Sequence, residues 1–175
     1  MSTKELIIES KTHGTHTVLI DEEDWDRVMH YAPWCINKNV RNKHKDVYYV
    51  VTSSKRASQD GIRGIKLHRF VTNCPKDKVV NHWNENTLDN RKENLVICSR
   101  AENKRFRGPQ SNNSTGFKGV VQASRGKRFI AQIGNGRGKH IRLGSYGTPE
   151  EAARAYDAKA KELHGEFAYL NFPDE

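Results

Sequence analysis

Three short β-type runs stand in the last third of the chain, at residues 117–123, 128–133 and 139–143, and apolar and polar positions alternate through the second and third. In the second run Phe129, Ala131 and Ile133 alternate with Arg128, Ile130 and Gln132; in the third, Ile141 and Leu143 alternate with His140 and Arg142. A period of two predicts strands with one face on a core. The intervening segments, Ser124-Arg125-Gly126-Lys127 and Gly134-Asn135-Gly136-Arg137-Gly138, predict hairpin turns. The period then becomes helical, through Ala152, Ala155, Tyr156, Ala160 and Leu163. Thr148 is the candidate N-cap, Pro149 occupies the first helical position, Glu151 completes a capping box, and Gly165 is the stop. A stripe of small residues suits close packing on the apolar sheet face, which leaves the other face free.

The middle of the chain reads differently. A short β run ends at His82, a polar turn rich in Asn follows, residues 95–98 are extended, and a helix opens after Ser99, with Glu102 completing a second capping box. This is a strand, loop, strand, helix unit. Upstream, residues 17–20 and 47–52 read as strands, and Asp21-Glu22-Glu23-Asp24 opens a short helix with Trp25, Val28 and Met29. Trp25 and Trp34 are expected in the core, and residues 53–64 as a loop. The expected class is α+β: an N-terminal β-rich layer carrying the central unit, then a three-stranded antiparallel sheet packed on one helix. Turn formers between Arg105 and Ser114 place a linker at 108–113, dividing the chain into 1–107 and 114–175.

Charge sharpens this division. The 175 residues carry 30 Lys and Arg against 21 Asp and Glu, a formal charge of +9. The surplus is concentrated: residues 111–148 hold Lys118, Arg125, Lys127, Arg128, Arg137, Lys139 and Arg142 and no acidic side chain. Such a block favours a polyanionic partner through counterion release, although a solvated basic face has the same composition. No stretch approaches the roughly 20 apolar residues of a membrane span, and no apolar leader follows Met1. A cytoplasmic protein, in a bacterium or a phage-infected host, is expected. Cys35, Cys74 and Cys98 form no C-x-x-C pair and indicate neither a disulfide framework nor a zinc ribbon. The irregular spacing of His68, Cys74, His82 and Cys98 argues against zinc.

Two side-chain types in the central unit carry chemistry. A His with an ordinary pKa of about 6.5 accepts a proton from water near neutrality. Asn carbonyl oxygens are hard donors of the kind magnesium accepts. Together they suit phosphodiester hydrolysis, yet a His among Asn residues in a polar loop also reads as a structural hydrogen-bonder.

Family resemblances add to these readings. Leu67-His68-Arg69-Phe70, Val79-Val80-Asn81-His82, Leu88-Asp89-Asn90-Arg91, Asn94-Leu95 and Asn103 resemble an HNH endonuclease of the phage homing type, with its ββα-metal motif over about residues 65–106. The resemblance implies His82 as general base, Asn94 as the Asn that holds the loop and orients the base, and Asn81 and Asn103 as ligands of a divalent metal, magnesium or manganese. Arg69 and Lys66 are expected at phosphate. The family usually has a metal-binding Asp before its catalytic His, where this chain has Asn81. Gly116-Phe117-Lys118-Gly119-Val120, Ile141-Arg142-Leu143-Gly144-Ser145-Tyr146, Glu151-Ala152-Ala153-Arg154-Ala155-Tyr156-Asp157 and Leu170-Asn171-Phe172-Pro173 are similar to the plant ethylene-response-factor (APETALA-type) DNA-binding domain. That similarity implies reading of the DNA major groove by the sheet. Its contact positions fall on Lys118, Val121, Ala123, Gln132, His140 and Arg142, with Arg125 in the first turn; Arg128 joins them on the basic face. The combined expectation is a monomeric endonuclease on double-stranded DNA. The competing expectation is a catalytically weak or inactive DNA-binding regulator.

Overall fold

The structure, a computed structural model, describes residues 2–39, 46–124, 126–135 and 138–174. It divides into two compact units, Met1–Ser99 and Arg100–Glu175.

In the first unit, strands β1 (Thr3–Ser10) and β2 (Gly14–Asp21) form an antiparallel hairpin, followed by helix α1 (Glu22–His30). The hairpin turns through Gly14, whose φ of 78° suits a residue without a Cβ. Glu22, Glu23 and Asp24 lie in the first turn of α1, where the helix dipole favours negative charge. Strands β3 (Trp34–Lys38) and β4 (Tyr48–Thr52) pair antiparallel, then come helices α2 (Lys55–Gln59) and α3 (Leu67–Val71) and the antiparallel pair β5 (Val79–His82) and β6 (Leu95–Cys98).

Two-stranded sheets are marginal alone, and here all three share one core of Ile8, Val18, Ile20, Val28, Trp34, Val50, Leu67, Val71 and Leu95. Trp34 is anchored within it by its Nε1–H, which donates to the Val28 carbonyl at 2.8 Å. The strands read at 17–20, 47–52 and 95–98 are present. The segment read as a loop at 53–64 contains α2, because Ser54 Oγ accepts from Ala57 N–H at 3.0 Å and Ala57 is buried.

The second unit opens with helix α4 (Arg100–Phe106), followed by the antiparallel sheet β7 (Val120–Gln122), β8 (Phe129–Gly134) and β9 (His140–Tyr146), in that order, and helix α5 (Pro149–His164). The Thr148–Glu151 capping box forms, with Glu151 N–H donating to Thr148 Oγ1 at 3.2 Å. Helix α5 buries Ala152, Ala153, Tyr156, Asp157 and Ala160, while Leu163 faces out. The first strand starts at Val120 rather than 117 because Gly119 turns with φ of 77° and lies under Tyr156: a Cβ there would meet the ring at 2.0 Å. The third strand runs on to Tyr146, since Phe129 and Tyr146 are paired.

The division between the units precedes α4, ahead of the linker expected at 108–113. Phe106 packs edge-on to Phe167 at 5.6 Å, and Lys118 Nζ donates to the carbonyls of Arg105 and, at 2.6 Å, Arg107. These contacts tie the helix to the unit that follows it.

Candidate functional site

Residues 82–94 are organised by Asn94. Its Oδ1 accepts from Asn84 N–H at 2.8 Å, its Nδ2 donates to the Asp89 carbonyl at 2.9 Å, and its own carbonyl accepts from Trp83 N–H at 2.8 Å. One buried side chain thus spans the loop from end to end. Within it, Asn84 Oδ1 and Asn86 Oδ1 each accept from a backbone N–H two residues on, as Asn does in turns.

The loop is docked on the N-terminal hairpin. Leu19 N–H donates to Leu88 O at 3.0 Å, Asn90 N–H to Leu19 O at 2.8 Å, and Lys92 N–H to Asp21 Oδ2 at 2.7 Å. The N-terminal hairpin is thus the surface against which the loop that follows His82 is set.

His82 ends β5 and is 6% exposed. Burial, which disfavours the charged ring, pushes its pKa down to about 4; a hydrogen bond with Asn90 and the charge of Asp89 act in the opposite sense. Among the described residues its Nε2 has no hydrogen-bond partner. His68, on α3, stands nearly perpendicular to it with ring centroids 5.0 Å apart, and burial lowers its pKa to about 3. Tyr49 lies 5.5 Å from the His68 ring, with Lys66 Nζ 3.8 Å above Tyr49. At neutral pH both imidazoles are uncharged in the folded chain.

Asp89 is buried and committed. Arg91 grips it through Nε and Nη2 at 2.9 and 2.7 Å, and Asn84 Nδ2 donates to it at 2.9 Å. The Arg91 guanidinium holds its carboxyl below the ordinary carboxylate range. Among the described residues, the one His, Cys, Asp or Glu grouping with metal-like spacing is Asp21, Glu23 and Asp24. The Lys92 ammonium already sits against it, 2.5 Å from Glu23 and 3.0 Å from Asp24.

The amides expected as ligands are both half-buried: Asn81 next to His82 on β5 in the first unit, and Asn103 on α4 in the second. Neutral amide oxygens fit a hard divalent ion that keeps its waters and draws charge compensation from a phosphate. They do not supply charge themselves.

Arg69, expected at phosphate, is used internally: it donates to the carbonyls of Lys78, Cys74 and Pro75 at 2.8, 3.1 and 2.7 Å. The loop before β5 needs those donors, because its carbonyls have left regular structure.

In the second unit the helix covers Val120, Ala131 and Ile133, and the opposite sheet face carries Val121, Ile130, Gln132, His140 and Arg142. Gln132 and Arg142 are paired across β8 and β9, and His140 and Arg142 are exposed. Arg128 is exposed and folds onto Ser145, donating to its carbonyl at 2.5 Å and to Oγ at 3.1 Å. Lys118 departs most from the sequence expectation. Its ammonium is turned inward onto the Arg105 and Arg107 carbonyls, and burial lowers its pKa to about 8. Arg125 lies outside the described residues.

Sequence reasoning also passed over Asp157. This buried carboxylate accepts from Asn171 N–H, Asn171 Nδ2 and Phe172 N–H, each at 2.9 Å, while Asn171 Oδ1 accepts from Lys118 N–H at 2.7 Å. An acidic residue on the buried side of a helix stripe was the available signal.

With this geometry in view, residues 68–105 match the family described as HNH endonuclease, and residues 115–166 match the AP2 domain. The chain joins an HNH domain to an AP2 domain. The two matches fall on the His82 loop and on the sheet backed by α5. An uncharacterized HNH endonuclease of Acanthamoeba polyphaga mimivirus is 31% identical over 130 residues, covering 71% of this chain and 66% of the relative. Dehydration-responsive element-binding protein 2D of Arabidopsis thaliana is 40% identical over 87 residues, 49% of this chain and 42% of that protein. Ethylene-responsive transcription factor ERF017 of the same plant is 45% identical over 69 residues, 38% and 36%. The chain spans less than half the length of these plant relatives. Among the described residues, no helix of this HNH–AP2 chain is long and apolar enough to cross a membrane.

Proposed function

We propose that this chain is a DNA endonuclease in which the HNH domain hydrolyses a phosphodiester bond and the AP2 sheet holds the duplex. The observation that carries the reading is His82: a buried, uncharged imidazole at a strand end, with Nε2 unpartnered among the described residues and Asn81 beside it. A general base must be unprotonated at working pH and keep a lone pair free to take the proton. With the ring N–H directed to Asn90, Nε2 takes the proton of a water as that water's oxygen attacks phosphorus and the ester P–O bond breaks. Asn94 keeps the loop, and so the ring, in place. Asn81 is the amide of the first unit that would hold a divalent ion. Such an ion, magnesium or manganese, supplies charge stabilisation at the phosphate and the leaving oxygen. On the AP2 side, Arg142, His140 and Gln132 are the groups offered to the major groove.

A second reading is favoured by one observation: Asp89, the carboxylate within the motif, is already engaged by Arg91 and Asn84. A site without its own negative charge holds a divalent ion weakly, which suits a DNA-binding protein with little or no cleavage. Supercoiled plasmid incubated with magnesium or manganese separates the two. Nicking by the natural chain that disappears in His82→Ala supports the nuclease. Cleavage seen only in Asn81→Asp supports the binding protein.

A further inference from the structure

Trp83 follows His82 directly and is 59% exposed, the most exposed of the large apolar side chains among the described residues. The other two tryptophans behave as hydrophobicity dictates: Trp34 is buried and Trp25 packs against the same core. An indole that keeps more than half of its surface in solvent forgoes part of one of the largest burial gains available to a side chain. A mobile tip is not the reason for it. The Trp83 N–H is bonded to the Asn94 carbonyl at 2.8 Å, and the next residue is bonded to Asn94 Oδ1 at the same distance. The backbone therefore presents the indole from a fixed base, one residue from the imidazole.

An aromatic side chain on a hydrogen-bonded backbone, beside the proposed hydrolytic site, matches the nucleotide itself. In a duplex the base faces are stacked on one another, but deoxyribose rings and base edges offer apolar surface next to each phosphate, and the sugars do so at every sequence. We infer that Trp83 lays its indole against the deoxyribose and base edge flanking the phosphate presented to His82, and so is a DNA-positioning residue of the HNH domain. This rests on the nuclease reading above for which phosphate is meant, but the contact itself does not require cleavage.

The test uses the full chain with a plasmid-derived duplex and a chelator, so that binding is seen without hydrolysis. Tryptophan emission is compared between the natural chain and Trp83→Phe, whose difference isolates Trp83 from Trp25 and Trp34. On saturation with duplex, the Trp83 emission is expected to shift and to lose its accessibility to acrylamide. With metal present, Trp83→Ala is expected to reduce cleavage at limiting DNA by roughly ten- to a hundredfold, Trp83→Phe to restore most of it, and emission from Trp34 to stay that of the folded core in both.

Trp83 as open to acrylamide in the saturated complex as in the free chain overturns the inference. If Trp83 is protected but no plasmid is ever cut, the nuclease reading falls and this one stands. His82-dependent cutting with Trp83 still accessible sinks this one alone.

Discussion

The two units bury polar groups for different purposes. In the second, an alanine-lined helix covers one sheet face, and Asp157 is the one buried charged side chain among its described residues, fastening residues 171–172 to the helix. The opposite sheet face, with His140 and Arg142, takes no part in that core. In the first, His68, His82, Asp89, Asn90 and Asn94 are all buried, and they hold the loop, dock it on β2 and carry the proposed chemistry at once. Where fold and site share side chains, a loss of activity does not by itself report chemistry. Where they occupy opposite faces of a sheet, it does.

The comparison is broken most sharply at His82. His82→Ala is expected to lower plasmid cleavage by about 10²- to 10⁴-fold while duplex affinity, measured by anisotropy, stays near that of the natural chain; a parallel fall in affinity would mean that the units are not functionally separable. Next comes Gly119→Ala. The added Cβ meets the Tyr156 ring at a left-handed backbone position, and about 3 kcal/mol or more of second-unit stability should be lost. Hydrogen exchange should rise across residues 115–172 and not across 3–98.

Acid should act the other way round. His68 and His82 have folded-state pKa values of about 3 and about 4 against an ordinary 6.5. The unfolded chain therefore binds more protons, so the stability they contribute is complete above pH 6.5 and is lost as pH falls toward those values. Between pH 7 and 5 each of the two histidines should withdraw on the order of 2 kcal/mol from the first unit, read by exchange protection of β5 and β6. The second unit has one such group, the half-buried His164, and should lose less.

Asn94→Ala removes the clamp and leaves buried partners unpaired, for about 2 kcal/mol of first-unit destabilisation. The smallest effect is expected on the open sheet face. Arg142→Ala should weaken duplex binding by about tenfold, lower the salt slope by about one and leave thermal unfolding unchanged. An unfolding shift there would show that this face is also part of the core.

Local signals were legible in the sequence. The Thr148–Glu151 box starts α5 where expected, β5 ends at His82, and residues 95–98 are a strand. Period and capping depend on neighbours a few residues apart, which a single chain displays. The destinations of long polar side chains did not show. Lys118 and Arg69 read as surface cations, but both donate to carbonyls left open by helix ends and turns. That need exists only once the backbone is folded. Ala153 rather than Ala155 is buried in α5 for a related reason: the spacing defines a stripe, and the sheet decides which edge of the stripe it covers.

Asp21 accepts from the Lys92 backbone across 71 positions of chain, and Leu19 and Asp89 form a parallel bridge beside it. The stretch recognised as HNH, residues 68–105, is thus not a portable cassette. Anyone grafting the His82 loop onto another scaffold would have to carry residues 3–21 with it or rebuild their supporting edge. Without them, the transplant keeps every motif residue and loses the wall that gives the loop its shape.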